Sequence, residues 1–233
     1  MQRRVPLCAS LSWFEGRTLH AFPNEETTAM TTLPAPADAI AESQLLIAAL
    51  EQRRAELPFA DAILETHRAM HRELETSHTS SERAVDEWRA ALARRWECEV
   101  AGRRIYKQVM RQLVAYYGSP SAAAIKLLSR GDAEADSTPA ELLEDLRRLH
   151  ASLAIEAGAP PFAPERACEV ERACLDLARA IAHAAACEHR RRAAVLDCRM
   201  IREVYRRVRG ETGRALIQHY AGQVPADFAG LVQ

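Results

Sequence analysis

Apolar residues recur every three to four positions along two long stretches of this chain, 60–117 and 164–220, and no proline interrupts either once it has begun. A 3.6-residue period sustained that far predicts long amphipathic helices, the first a rod of roughly 87 Å at 1.5 Å per residue. Each long stretch follows a shorter one. Residues 37–57 place Ile40, Leu46, Ile47 and Leu50 on one side and stop at Pro58. Residues 139–157 open on Thr138, Pro139 and Glu141, a threonine cap, a proline at the first helical position and a glutamate three after the cap. Gly118, Ser119 and Pro120 end the first long helix, and Gly222 with Pro225 the second. Thr76 to Ser81 is the weak point of the first rod, where Thr79 and Glu82 could restart the helix as a capping box. A short helix is expected over 121–130, a polar loop over 131–137, and a tail from 223 whose Phe228 and Leu231 fold back onto the bundle. No stretch alternates with the period of a strand, so the fold class is all-α.

The two halves repeat. A shift of 103 places Ala37, Ile40, Leu46, Leu50, Pro58, Phe59, Ala60 and Leu74 on Ala140, Leu143, Leu149, Leu153, Pro161, Phe162, Ala163 and Leu177. In mid-rod the letters match better at 99, where Arg103, Ile105, Tyr106, Lys107 and Val109 fall on Arg202, Val204, Tyr205, Arg206 and Val208. The shift returns to 103 for Leu113, Val114 and Tyr117 on Leu216, Ile217 and Tyr220. The chain therefore reads as repeat 1 over 37–118, a connector over 119–138 and repeat 2 over 139–222, together forming one domain.

Two features predict that the long helices run antiparallel. The change of shift implies a four-residue insertion near Thr76 to Ser81 in one copy and near Gly210 to Gly213 in the other, and only antiparallel rods bring both extra turns to the same end. Charge gives the same answer. Residues 89–117 hold seven Lys/Arg against two acids, and 189–214 hold nine Arg against three, whereas the first halves of both rods are acidic. Antiparallel packing sets each basic half beside an acidic one and suits both helix dipoles. In that arrangement Trp96 should lie near Ala184, Ala185 and Ala186, and Trp88 near Ala193 and Ala194.

Composition adds limits. A formal net charge of −1 gives no global attraction to nucleic acid or membrane. Six cysteines without regular spacing do not form a disulfide framework; Cys168, Cys174, Cys187 and Cys198 share one helix and read as small buried residues of a reducing, cytoplasmic protein. No apolar run reaches the ~20 residues that cross a bilayer. Residues 1–36 share nothing with the repeats until their last few positions; they read as a disordered extension, or as a start upstream of an initiator at Met30.

Candidate chemistry is sparse. His67 and His71, four apart on one helical face, have a spacing that suits two ligands of a divalent metal, as do His183 and Cys187. Since His67 and His71 align with Val170 and Cys174, core positions are the simpler expectation. Glu75 and His78 have the spacing of di-iron bundles, but Ala178 and Ile181 stand at the matching positions, which excludes that site. There is no nucleophile elbow, phosphate loop or dinucleotide fingerprint, so no cofactor and no enzymatic activity is expected. Arg103, Arg104 and Lys107 on the first rod, with Arg202, Arg206, Arg207 and Arg209 on the second, are interleaved with tyrosines as in a single-stranded nucleic-acid groove. Seam tyrosines, with arginines as solvated partners of the acidic helices, are the simpler expectation. The expected role is a helical bundle that offers long surfaces to a protein partner or to itself, with polyanion binding and metal binding as alternatives.

Overall fold

The computed structural model describes residues 35–120, 138–154 and 159–230. Among them every regular element is a helix: α1 Pro36–Gln52, α2 Ala60–Tyr117, α3 Pro139–Leu153, α4 Ala163–His219 and the single turn α5 Ala226–Ala229. The expected helix over 121–130, the loop over 131–137 and Leu231 lie outside the described residues. α2 ends on Gly118, whose φ of 73° is the left-handed conformation a glycine adopts without penalty, and its N–H donates to the Val114 carbonyl. α3 begins with the capping box foreseen in Thr138 and Glu141.

The two long helices, 58 and 57 residues, pack antiparallel in an all-α bundle. His67 meets Thr212, Glu87 meets Arg190, and the Arg191 guanidinium lies 4.6 Å over the Trp88 ring. Numbers thus rise on one helix as they fall on the other. α1 packs beside the start of α2 and the end of α4; α3 packs beside the end of α2 and the start of α4. The α3 end is an apolar core of Leu142, Leu146, Leu149, Leu153, Val109, Leu113, Val170 and Leu177. At the other end Leu46, Leu50, Leu57, Leu64 and Leu216 enclose Phe228, so the tail does fold back, tied by Arg53 to Asp227 at 2.8 Å. Between Leu74 and Gly102, roughly 42 Å of rise, α2 and α4 run with little else of the described residues beside them. Their seam there is narrow: Ala91, Ala184 and Cys187, flanked by Trp88 and Leu92.

Four expectations need correction. α1 ends at Gln52 rather than at 57, because Arg53 leaves the helical region and its side chain reaches Asp227 and Glu56. Thr76 to Ser81 is continuous helix, with Ser77 Oγ donating back to the Leu74 carbonyl. Trp96 is 62% exposed and Ala91 occupies the place opposite Ala184, while Trp88 sits beside Ala184, Cys187 and Arg191, about one turn from where it was expected. Seam positions repeat every seven residues, so Trp96, eight beyond Trp88, is turned out by about 100°. Finally, toward both ends buried positions recur at 103 rather than 99, Ala60 with Ala163, His67 with Val170, Leu74 with Leu177, Gly102 with Tyr205, Val109 with Thr212 and Leu113 with Leu216, while in mid-rod the buried Ala91 and Cys98 stand against half-buried Ala194 and Ile201. The better letter match at 99 differs by about one helical turn, which keeps nearly the same face.

Candidate functional site

The spacing of 103 exposes a cluster of described residues in which the two ends differ in chemistry. Where the α3 end has Leu146, Val170, Val109, Gly102 and Cys174, the α1 end has Ser43, His67, Thr212, Tyr205 and His71. Ser43, His67, Thr212 and Tyr205 are all buried. His67 Nε2 lies 2.8 Å from Thr212 Oγ1, and its ring meets that of Tyr205 edge-on with centroids 6.2 Å apart. Ser43 Oγ donates to the Ile40 carbonyl and lies 2.6 Å from His71 Nδ1, whose Nε2 is 3.3 Å from Glu75. Arg209 closes this end by donating to Glu42 of α1 at 2.7 Å.

Two buried polar atoms in this cluster, His67 Nδ1 and Tyr205 Oη, have no hydrogen-bond partner among the described residues. An imidazolium at His67 would carry two N–H groups with one acceptor between them. Burial accordingly pushes its pKa down to about 4. Burial also pushes the Tyr205 phenol up to about 12, with Glu42 adding to the rise and Arg209 opposing it.

The predicted histidine pair therefore shares a helical face, as expected, but its rings turn to different partners. His183 is exposed and its Nε2 is 3.7 Å from the buried Cys187 Sγ, which accepts from Arg190 at 3.1 Å. Among the described residues no three His, Cys, Asp or Glu side chains gather as metal ligands. No helix of the described residues is long and apolar enough to cross a membrane. Nothing matches this chain among protein-family models, curated proteins or solved structures.

The arginine sets are not brought together. Arg103, Arg104 and Lys107 belong to the α3 end, Arg202, Arg206, Arg207 and Arg209 to the α1 end. Ile105 lies beside Glu169, and the rise along α4 from there to Arg206 is roughly 55 Å. Arg206 pairs with Glu203 at 2.7 Å, Arg209 with Glu42, and Arg103 approaches Glu99 at 3.9 Å. Tyr205 is buried and cannot stack on a base, while Tyr220 donates to Glu56 at 3.3 Å. Arg104, Lys107 and Arg207 remain exposed. Between the helices a notch of about 190 Å³ opens among Arg94, Glu97, Cys98, Glu169, Arg172 and Asp176. It is shallow, of mixed charge, and below the ~300 Å³ at which ligand pockets begin.

Sequence reasoning found His67 and His71 but missed Ser43, Tyr205 and Thr212. The signal was present: under a constant shift of 103 they stand opposite Leu146, Gly102 and Val109. The local match at 99 hid it by pairing Tyr205 with Tyr106.

Proposed function

We propose that this chain is a non-enzymatic helical scaffold, built from two copies of a short-helix and long-helix unit, that offers its long helices to a protein partner or to a second copy of itself in the cytoplasm. The observation that carries this is the middle of the rod. There, among the described residues, the packing of α1 and α3 at opposite ends leaves α2 and α4 without a third helix, and Trp96 at 62%, Leu196 at 55% and Met200 at 65% stand open to solvent with Val100 and Val204. Scattered exposed leucines need no explanation, but tryptophan, leucine and methionine concentrated on a segment with so thin a seam mark a surface that is covered when the protein works. The recurrence of burial at 103 supports the duplication. The matching of Arg190 to Glu87, Arg206 to Glu203 and Arg209 to Glu42 supports a charge pattern that serves the fold.

A photo-cross-linker at Trp96 or Leu196 tests this in the native cytoplasm: adducts at these positions, and none at the exposed Arg72, are expected. Absence of adducts at both would refute the role. Salt-sensitive binding of single-stranded DNA by purified protein, lost on Arg206→Glu and Arg207→Glu, would replace it with polyanion binding; weak binding at low salt is expected.

A further inference from the structure

α4 carries two stripes. One faces α2 and is buried through Leu177, Ala180, Ala184, Cys187, Cys198 and Tyr205. Half a turn away, Ala182, Ala186, His189, Ala193, Leu196 and Met200 follow one another at spacings of four and three, and all are exposed. A mean period of 3.5 is that of a coiled-coil seam, in which the facing helix supplies holes for each knob. Here α2 occupies the opposite side of α4 and no described residue covers this one. The alanines would let a second helix approach toward the short end of the usual 8–10 Å, with Leu196 and Met200 as the large knobs.

The residues flanking the stripe distinguish the possible occupants. Arg192 precedes Ala193 and Asp197 follows Leu196, a separation of five. Two such helices in parallel and in register set Arg192 of each beside Asp197 of the other, on both flanks, which is the e/g pairing that selects coiled-coil partners. Antiparallel alignment about the centre of the stripe would instead face Arg192 with Arg192 and Arg190 with Arg190. Asp197 makes no ion pair with any other described residue, whereas Arg192 bonds Glu188 of its own helix at 2.7 Å and Glu188 also holds Arg191. Arg192 can therefore turn to a second carboxylate without stranding the first.

Building on the interaction role proposed above, we infer that this stripe is a homodimer seam: a second copy of the chain docks in parallel, α4 against α4. Leu196 and Met200 fill the shared core, and Arg192 of each copy pairs with Asp197 of the partner subunit.

Light scattering on the full chain, with analytical ultracentrifugation across the micromolar range, tests it. The wild type should sediment at twice 25.9 kDa. Leu196→Glu with Met200→Glu should give a monomer of unchanged helical circular dichroism, since both side chains lie outside the fold's own core. Arg192→Asp and Asp197→Arg should each weaken the dimer about tenfold or more, and mixing the two variants should restore it as a heterodimer, because each then meets opposite charge on both flanks. A wild type that stays monomeric, a dimer indifferent to these four substitutions, or a mixture no tighter than its components would overturn the seam. Adducts with other proteins at Leu196 in a monomeric wild type would leave the interaction role standing while removing the homodimer; loss of both would remove both.

Discussion

At the α3 end Leu146 meets Val109 and Val170, with Gly102 and Cys174 nearby, and at the α1 end the same positions carry a serine, two histidines, a tyrosine and a threonine. The backbone frame is the same in kind: a short helix lying on two long ones, entered through Phe59 and Ala60 in one half and Phe162 and Ala163 in the other. What differs is how each end holds its short helix. Leu142, Leu146, Leu149 and Leu153 dock α3 by removing apolar surface from water, a term that is insensitive to pH. α1 has Ala39 where α3 has Leu142 and Ser43 where it has Leu146, so part of its hold comes from hydrogen bonds and from the Glu42 to Arg209 bridge. Hydrogen bonds exchanged with water contribute about 1 kcal/mol each, while an unpartnered buried polar atom costs as much or more. Such atoms occur among the described residues of both ends, on His67 and Tyr205 at the α1 end and on Gln112 and Arg166 at the α3 end, so what separates the ends is how much of the contact to the short helix is apolar. One fold thus has a firm end and a conditional one.

The largest break in the comparison should come from making the firm end like the other. Leu146→Ser leaves a cavity and a hydroxyl among leucines, and should cost about 3–5 kcal/mol in urea unfolding. Ser43→Ala, at the corresponding place, should cost about 1–2 kcal/mol, the loss of its bond to His71. Equal costs would deny that the two ends are packed differently.

Acid should separate the ends next. His67 is neutral in the fold with a pKa near 4, against 6.5 for an unperturbed histidine. The unfolded chain therefore binds the extra proton first as pH falls. Stability from this group is complete above about pH 6.5 and is lost progressively down to pH 4, about 3 kcal/mol at most. His67→Val, which copies Val170, should abolish that part of the pH dependence measured by denaturant titration between pH 4 and 7. A wild type whose stability is flat over this range would contradict the burial of a neutral imidazole.

A smaller effect is expected at the helix starts. α3 has a full capping box and α1 begins at Ala35 with no side-chain cap. Thr138→Ala should cost about 1 kcal/mol. Ala35→Ser should gain a few tenths to about 1 kcal/mol, readable as a shift in the urea midpoint at constant slope.

Much of the fold was legible in the chain because its signals are local. Gly118, Thr138 and Gly222 mark helix ends as the chain predicts, and the sign of charge along each rod was enough to orient the pair. The relation between the halves was harder. A four-residue slip rotates a helix by only about 40°, so matching letters cannot distinguish a true insertion from a fortuitous match one turn away. The insertion argument rests on that ambiguous match, whereas the charge argument for antiparallel pairing does not. The polar cluster was half legible: two histidines at four-residue spacing announce themselves, but Ser43, Tyr205 and Thr212 are unremarkable letters that acquire meaning only when α1 and α4 bring them beside His67 and His71. The exposed stripe on α4 was hidden because a helix with apolar residues on both sides yields no single amphipathic face.

Native-state hydrogen exchange, read segment by segment by mass spectrometry with intrinsic rates corrected for pH, tests the difference between the ends most directly. At pH 7 the amides of α1 should open at lower free energy than those of α3, and lowering the pH toward 5 should widen the gap by loosening α1 and residues 205–216 of α4 while α3 holds. Equal protection of α1 and α3 at both pH values, or an α3 that loosens first, would contradict it.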